Sequence, residues 1–273
     1  MEERQQVQTW MADDAGEKWL RMRALRGAAM AEATELMLDL AGVQPGSRVL
    51  DVAAGTGDQS IDAAQRVGPS GYVLATDLSE SMLKAAAEAA HQAGLANMET
   101  RVADGQQLDL EPDSFDAAIC RNGLMFFPDR RKALQSIWRV LKPGCRVAVV
   151  VWARPEKNPW HSVSTGVLER YGGQAQTMSI AFSMGEPGLL EDLLASGGFR
   201  DVSVRPVPVI RRFDSTAAAV EGMKSSPPAE SIAQLAEDDQ ARAWRDIEAE
   251  LKRFEGPSGV EIPGEALVGA GVK

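Results

Sequence analysis

Three aspartates close three apolar runs. "VLDVAAGTGD" brings Asp51 to the end of the first, "VLATD" carries Asp77, and "RVAD" carries Asp104. After Asp51 the side chains shrink to Ala53, Ala54, Gly55 and Gly57. Small residues behind a strand let backbone approach a ligand and turn tightly into a helix. Three acids along one rim repel one another unless they meet donors. An adenosine offers ribose hydroxyls for Asp77 and an adenine amino group for Asp104, and a cationic amino end would suit Asp51. A dinucleotide site also uses a Gly-rich turn, but its third glycine would fall on Ser60, and it does not ask for an acid at Asp51.

Other reactive residue types are sparse. There are two histidines. His91, in "AEAAHQAG", belongs to a helix pattern and reads as solvated or structural. His161, in "NPWHSV", follows the most apolar run of the chain. It is the one candidate general base, able to take a proton from a hydroxyl or an acidified carbon. Trp19, Phe126, Phe127, Trp152 and Trp160 are the candidate walls of a substrate pocket, since aromatic faces hold flat or cationic groups. Cys120 and Cys145 lie in or beside apolar strand patterns and read as free thiols. With two His and two scattered Cys, no metal-ligand spacing is present.

These residues must be carried by elements that alternate. Arg48–Val52 reads as a buried strand, Asp58–Val67 as a helix and Tyr72–Thr76 as a strand. Residues 79–93 read as a helix with Ser79 as its N-cap. Strands at 98–103 and 115–120 follow, then a helix over 130–141 and the strand "RVAVVVW". Alternation of this kind implies right-handed crossovers and a parallel sheet covered on both faces. Such a sheet binds ligands beyond the carboxyl ends of its strands, where Asp51, Asp77 and Asp104 stand. After Trp152 the rhythm breaks. "VSVRPVPVIRRF" suits an edge strand, residues 215–255 read as helical with a break at Pro227 and Pro228, and "ALVGAGVK" reads as a last strand.

The 273 residues carry 39 acids against 29 basic residues, a net charge of −10. Nucleic-acid binding needs clustered Lys and Arg and is not expected. No apolar run is long enough to span a membrane, and the polar start "MEERQQVQTW" has no secretion-signal pattern. A cytoplasmic protein without membrane insertion is expected.

As an ordered set, "VLDVAAGTGD", "ATDLSESML", "RVADGQQL", "FDAAICRNGLMFFPD" and "LKPGCRVAVVVW" resemble the motifs of class I S-adenosylmethionine-dependent methyltransferases. The closest flavour is the ubiquinone/menaquinone C-methyltransferase-like group and its small-molecule relatives. The resemblance covers roughly residues 40–152. The family often has Gly where Ala53 and Cys145 stand. It implies an α/β, Rossmann-like, doubly wound sheet of seven strands, mostly parallel, with an antiparallel last strand beside the fifth. It also implies S-adenosyl-L-methionine as cofactor, leaving as S-adenosyl-L-homocysteine. By the resemblance, Asp51, Ala53, Gly55 and Gly57 cradle the methionine part. Asp77 holds the ribose and Leu78 lies against the adenine. Asp104 and Gly105 take the adenine edge, and Arg121 and Asn122 face the methionine and sulfonium.

The expected organisation is a helical cap over residues 1–40, a donor-binding core over 41–152 and a lid or substrate insertion over 153–200. Residues 201–273 complete the sheet around a helical insertion. The expected function is methyl transfer to carbon or oxygen of a small apolar or aromatic metabolite. A non-catalytic adenosylmethionine-binding regulator and a nicotinamide-dependent oxidoreductase are the alternatives. Homo-oligomer formation stays open.

Overall fold

In the computed structural model, residues 16, 20, 23–173, 180–225 and 227–273 are described. Five parallel strands follow the alternating rhythm: β1 (Arg48–Val52), β2 (Tyr72–Asp77), β3 (Met98–Val102), β4 (Phe115–Arg121) and β5 (Leu141–Trp152). β6 (Arg200–Pro208) and the final strand β10 (Glu265–Val272) complete a seven-stranded sheet in the order β3-β2-β1-β4-β5-β10-β6. β10 runs antiparallel to both β5 and β6. The seven-stranded, mostly parallel sheet with an inserted antiparallel last strand is thus the observed one. Pro206 and Pro208 lie on β6, the sheet edge, where a missing N–H costs no ladder bond.

The side-chain period of two divides each strand between two helical layers. Val49, Val73, Ile119 and Val150 share one core with α1 (Arg23–Leu40) and α2 (Asp58–Val67). Leu50, Val52, Cys120, Val149 and Val151 face α4 (Arg130–Val140) and α6 (Leu189–Ser196). α3 (Glu80–Gln92) packs along β2 and β3. Its N-cap is Ser79, whose hydroxyl accepts from the Met82 N–H. Of the expected N-terminal cap, the described part is mainly α1, and α1 crosses the sheet. Met30, Met37 and Leu38 are fully buried there, each contributing about 1.5–3 kcal/mol.

Beyond the carboxyl end of β5, a third core forms. It joins α5 (Pro159–Arg170), α7 (Thr216–Lys224), α8 (Pro227–Ile232) and α9 (Glu237–Leu251) to β9 (Gly259–Ile262). β9 lies between β7 (Arg211–Phe213) and β8 (Glu255–Gly256) in a small second sheet. Trp160, Val167, Met223, Ile247 and Leu251 are buried together in this unit, the cap at the end of β5. Segments on both sides of residue 200 therefore share one core. Proline at the first turn of α8 sacrifices no helical bond.

Among the described residues, no helix is long and apolar enough to cross a membrane, and no group of three or more His, Cys, Asp and Glu is placed to hold a metal. Cys120 and Cys145 are free thiols. His91 is exposed on α3.

Candidate donor and acceptor site

Asp51 sits near the end of β1, on the face covered by α2, and is completely buried. Gln59 Nε2 donates to one carboxylate oxygen at 3.3 Å, and the Ser60 hydroxyl donates to the other. Both donors come from the first turn of α2, so the turn and the acid fix each other. Burial pushes the Asp51 carboxyl up to about 7, against the opposing hydrogen bonds from Ser60 and Gln59. Sequence reasoning noticed Ser60 only as a missing glycine. Its role here is to hold Asp51.

The turn between β1 and α2 needs unusual backbone. Ala53, Gly55 and Gly57 all have positive φ, at 58°, 56° and 78°. Ala53 stands where the family often has glycine, and its conformation costs roughly 1–2 kcal/mol in an L-residue. A Cβ on Gly57 would lie 2.7 Å from the Ala86 Cβ of α3. These positions bring backbone N–H groups to the rim. The Gly55 N–H already donates to Asp77 Oδ2 at 2.8 Å, and the Ser79 N–H donates to Oδ1 at 2.9 Å. Burial raises the Asp77 pKa, and those backbone donors oppose the rise.

Asp104 follows β3, and its carboxylate accepts from the backbone and side chain of Gln106. A Cβ on Gly105 would lie 2.7 Å from the Phe127 ring. Phe127 therefore lies on the Asp104 side of the site, whereas sequence reasoning set it in the acceptor wall. Phe126 is half-buried beside it, against the core that faces α4. Leu78, just after β2, and Val102, the last residue of β3, have 40% and 54% of their surface exposed, among the few large apolar side chains left to solvent.

After β4 the two expected residues part company. Asn122 has φ 55°, its N–H donates to Val150 O, and its buried Oδ1 has no partner among the described residues. Arg121 turns toward the other helical layer. Its Nη1 donates to Thr34 Oγ1 at 2.8 Å, and Nη2 reaches Asp58 Oδ2 at 3.4 Å. Arg23 and Arg26 meet the same carboxylate at 2.9 and 2.7 Å. Asp58 thus ties α1, α2 and the end of β4 together, a role its place in the sequence did not reveal.

Trp152, His161 and Trp160 gather at the end of β5 and the start of α5. The His161 ring lies 5.5 Å from Trp152 and 5.4 Å from Phe182, edge-on to both. It is half-buried, with both ring nitrogens shielded from solvent and neither given a partner among the described residues. Burial, and then Arg211, hold its pKa well below the usual value. Trp160 is buried and stacks on Phe213 at 5.3 Å. Trp19 lies outside the described residues. Arg211 and Phe182 are neighbours that sequence reasoning missed, because only the folded cap brings them to His161.

The ubiE/COQ5 methyltransferase family model matches residues 32–171, just over half of the chain. The chain belongs to the ubiE/COQ5 methyltransferase family. A ubiquinone/menaquinone biosynthesis C-methyltransferase of Pasteurella multocida is 38% identical over 140 residues, covering 50% of this chain and 52% of that protein. A demethylmenaquinone methyltransferase of Listeria welshimeri is 38% identical over 126 residues, covering 46% and 53%. The chain spans about half the length of the curated relatives it matches. Among solved structures, a phosphoethanolamine N-methyltransferase 2 of Haemonchus contortus, in complex with phosphomonomethylethanolamine and S-adenosylhomocysteine, shares the fold. It has a TM-score of 0.61 at 19% identity, covering 97% of this chain and 58% of that one. The matched family region ends at Tyr171, just after α5. Most of the cap, Arg211 included, lies outside it.

Proposed function

We propose that this chain transfers the methyl group of S-adenosyl-L-methionine to carbon or oxygen of a small aromatic metabolite. The observation that carries the donor is the rim itself. Asp51, Asp77 and Asp104 follow one another at adjacent strand ends, with exposed Leu78 and Val102 beside the last two. The site fits an adenosyl donor. Leu78 and Val102 would cover the adenine and Asp77 would accept from the ribose, while Gly57 and Gly105 pack closely against Ala86 and Phe127 and so shape the turns behind the rim.

When bound, the donor supplies a methyl group on a cationic sulfur, an excellent leaving group. The chain then has to align, exclude water and handle one proton. Asp77 and the Gly55 backbone fix the donor end. The aromatic cluster of Trp152, Trp160 and Phe182 supplies the dry acceptor end. His161, neutral near pH 7, takes the acceptor's proton in this reading.

S-adenosylhomocysteine should bind in calorimetry with one site per chain. Methyl-labelled donor should then pass label to members of a hydroxylated naphthalene and quinol panel. His161→Ala should lower kcat by roughly 10²–10⁴-fold with donor affinity unchanged. Absence of S-adenosylhomocysteine binding would overturn the reading. Binding without turnover across the panel would instead favour a non-catalytic regulator.

A further inference from the structure

Beside the donor rim, the chain buries polar groups that it does not satisfy. Both ring nitrogens of His161 and Nη1 of Arg211 lack a hydrogen-bond partner among the described residues. They are enclosed by aromatic faces. The Arg211 guanidinium lies 5.4 Å from the Trp152 ring centre and 5.2 Å from that of Trp160. The His161 ring touches Trp152 and Phe182 edge-on. No described carboxylate is paired with Arg211, which is only 6% exposed.

A filler side chain in such a place would be apolar. Each unsatisfied polar group costs stability, and a charged group costs more. Cation–π contact with two tryptophans offsets part of the cost of burying the arginine, but it supplies no acceptor for Nη1. Buried polar atoms left this way in a folded protein point to a partner from outside the chain. The partner must accept hydrogen bonds, carry negative charge for Arg211, and be flat and apolar enough to lie among Trp152, Trp160 and Phe182.

We propose that Arg211 and His161 are the oxygen-binding end of the acceptor site, and that they take the enolate or phenolate oxygen of an aromatic acceptor. This rests on the methyl-transfer reading for its purpose and names the acceptor class for that reading. Arg211 supplies the charge; neutral His161 takes the hydroxyl proton when the acceptor enters as a phenol, and donates one N–H when it enters as the anion. The pair carries a single positive charge, which one oxyanion matches. An oxygen anion on a ring raises electron density at the neighbouring ring carbons, so the same contact that selects the acceptor also prepares it. Arg211 is the specificity-determining residue, and it lies outside the stretch that the family model matches.

The test uses two probes of nearly the same shape with the full chain. One is 2-hydroxy-1,4-naphthoquinone, an enolate at neutral pH, and the other is uncharged 1,4-naphthoquinone. Calorimetry, with tryptophan quenching as a second readout, should show the enolate binding at least tenfold more tightly. That is the ratio expected for one charge-assisted hydrogen bond worth about 1.5 kcal/mol or more. Arg211→Gln should abolish the preference, Arg211→Lys should keep part of it, and His161→Phe should weaken it a few-fold. S-adenosylhomocysteine affinity is measured on every variant. If Arg211→Gln does not fold, Arg211→Met, which keeps the stem against the tryptophans, takes its place. Equal binding of the two probes by the wild-type chain, or a preference that survives loss of the guanidinium, overturns the proposal. So does a site that takes only water and neither probe. Failure of the methyl-transfer reading appears separately, as loss of S-adenosylhomocysteine binding whatever the probes do.

Discussion

Asp51 is buried at a cost to the fold that depends on pH. Its carboxyl titrates near 7 when folded, against about 4 in an open chain. Below pH 4 both forms hold the proton. Between about 4 and 7 the folded chain keeps a proton that the unfolded chain has released, so Asp51 lowers stability as pH rises through that window. Above 7 its effect is constant. Asp51→Asn copies the protonated form and should remove the slope. Denaturant unfolding at pH 5 and pH 8 should show the variant gaining roughly 2–3 kcal/mol on the wild type. A gap that stays constant would mean that Ser60 and Gln59 hold the carboxylate ionised throughout. Asp77 differs, because backbone donors from Gly55 and Ser79 already engage it. Asp77→Ala should weaken S-adenosylhomocysteine binding by roughly 1–3 kcal/mol, through the lost ribose acceptor and the loosened turn. Unchanged affinity in calorimetry would move the ribose elsewhere.

At the scale of elements, Asn158 determines how the cap meets the sheet. It is fully buried just before α5. Its Nδ2 donates to Ala153 O, Arg154 O and Glu265 O, and its Oδ1 accepts from the Glu265 N–H. One side chain thus joins the end of β5, the start of β10 and the turn that leads to His161. Asn158→Ala strands those backbone groups and should cost roughly 2–4 kcal/mol in denaturant unfolding. A loss below about 0.5 kcal/mol would show that water replaces the amide. Gly57 plays a comparable part at the donor end. Its left-handed backbone and the 2.7 Å approach to Ala86 leave no room for a side chain.

The whole molecule follows from strand direction. β5 and β6 end at one edge of the sheet, and antiparallel β10 begins there. Every chain segment that leaves β5 or β6, or enters β10, therefore emerges on the donor side, and the third core has to form there. That geometry sets an aromatic cluster at the same end of the sheet as the rim of aspartates. It does not provide a dinucleotide track, since Ser60 fills the third-glycine place and is committed to Asp51. In thermal-shift measurements S-adenosylhomocysteine should raise the unfolding temperature, and NAD and FAD at equal concentration should not. Micromolar binding of either dinucleotide would reopen the oxidoreductase reading.

The periodicity of residues 48–152 was enough by itself to give the parallel strands, their order of appearance, and the rim where Asp51, Asp77 and Asp104 stand. The physical reason is that each βαβ unit is local: strand, tight turn and helix are encoded within some thirty residues, and crossover handedness leaves little choice. Motif resemblance added the antiparallel last strand. Side-chain direction was not legible in the same way. Arg121 and Asn122 are neighbours in the chain, yet the pleat sends Arg121 to Thr34 and Asp58 and leaves Asn122 at the rim. Phe127 turned to Gly105 because the chain bends at Leu124–Phe126. The cap was least legible of all. His161, Phe182 and Arg211 are separated by about twenty to thirty residues with no shared period, and only packing across the third core brings them to Trp152. Contacts between elements depend on the register of both partners, which no single stretch of sequence contains.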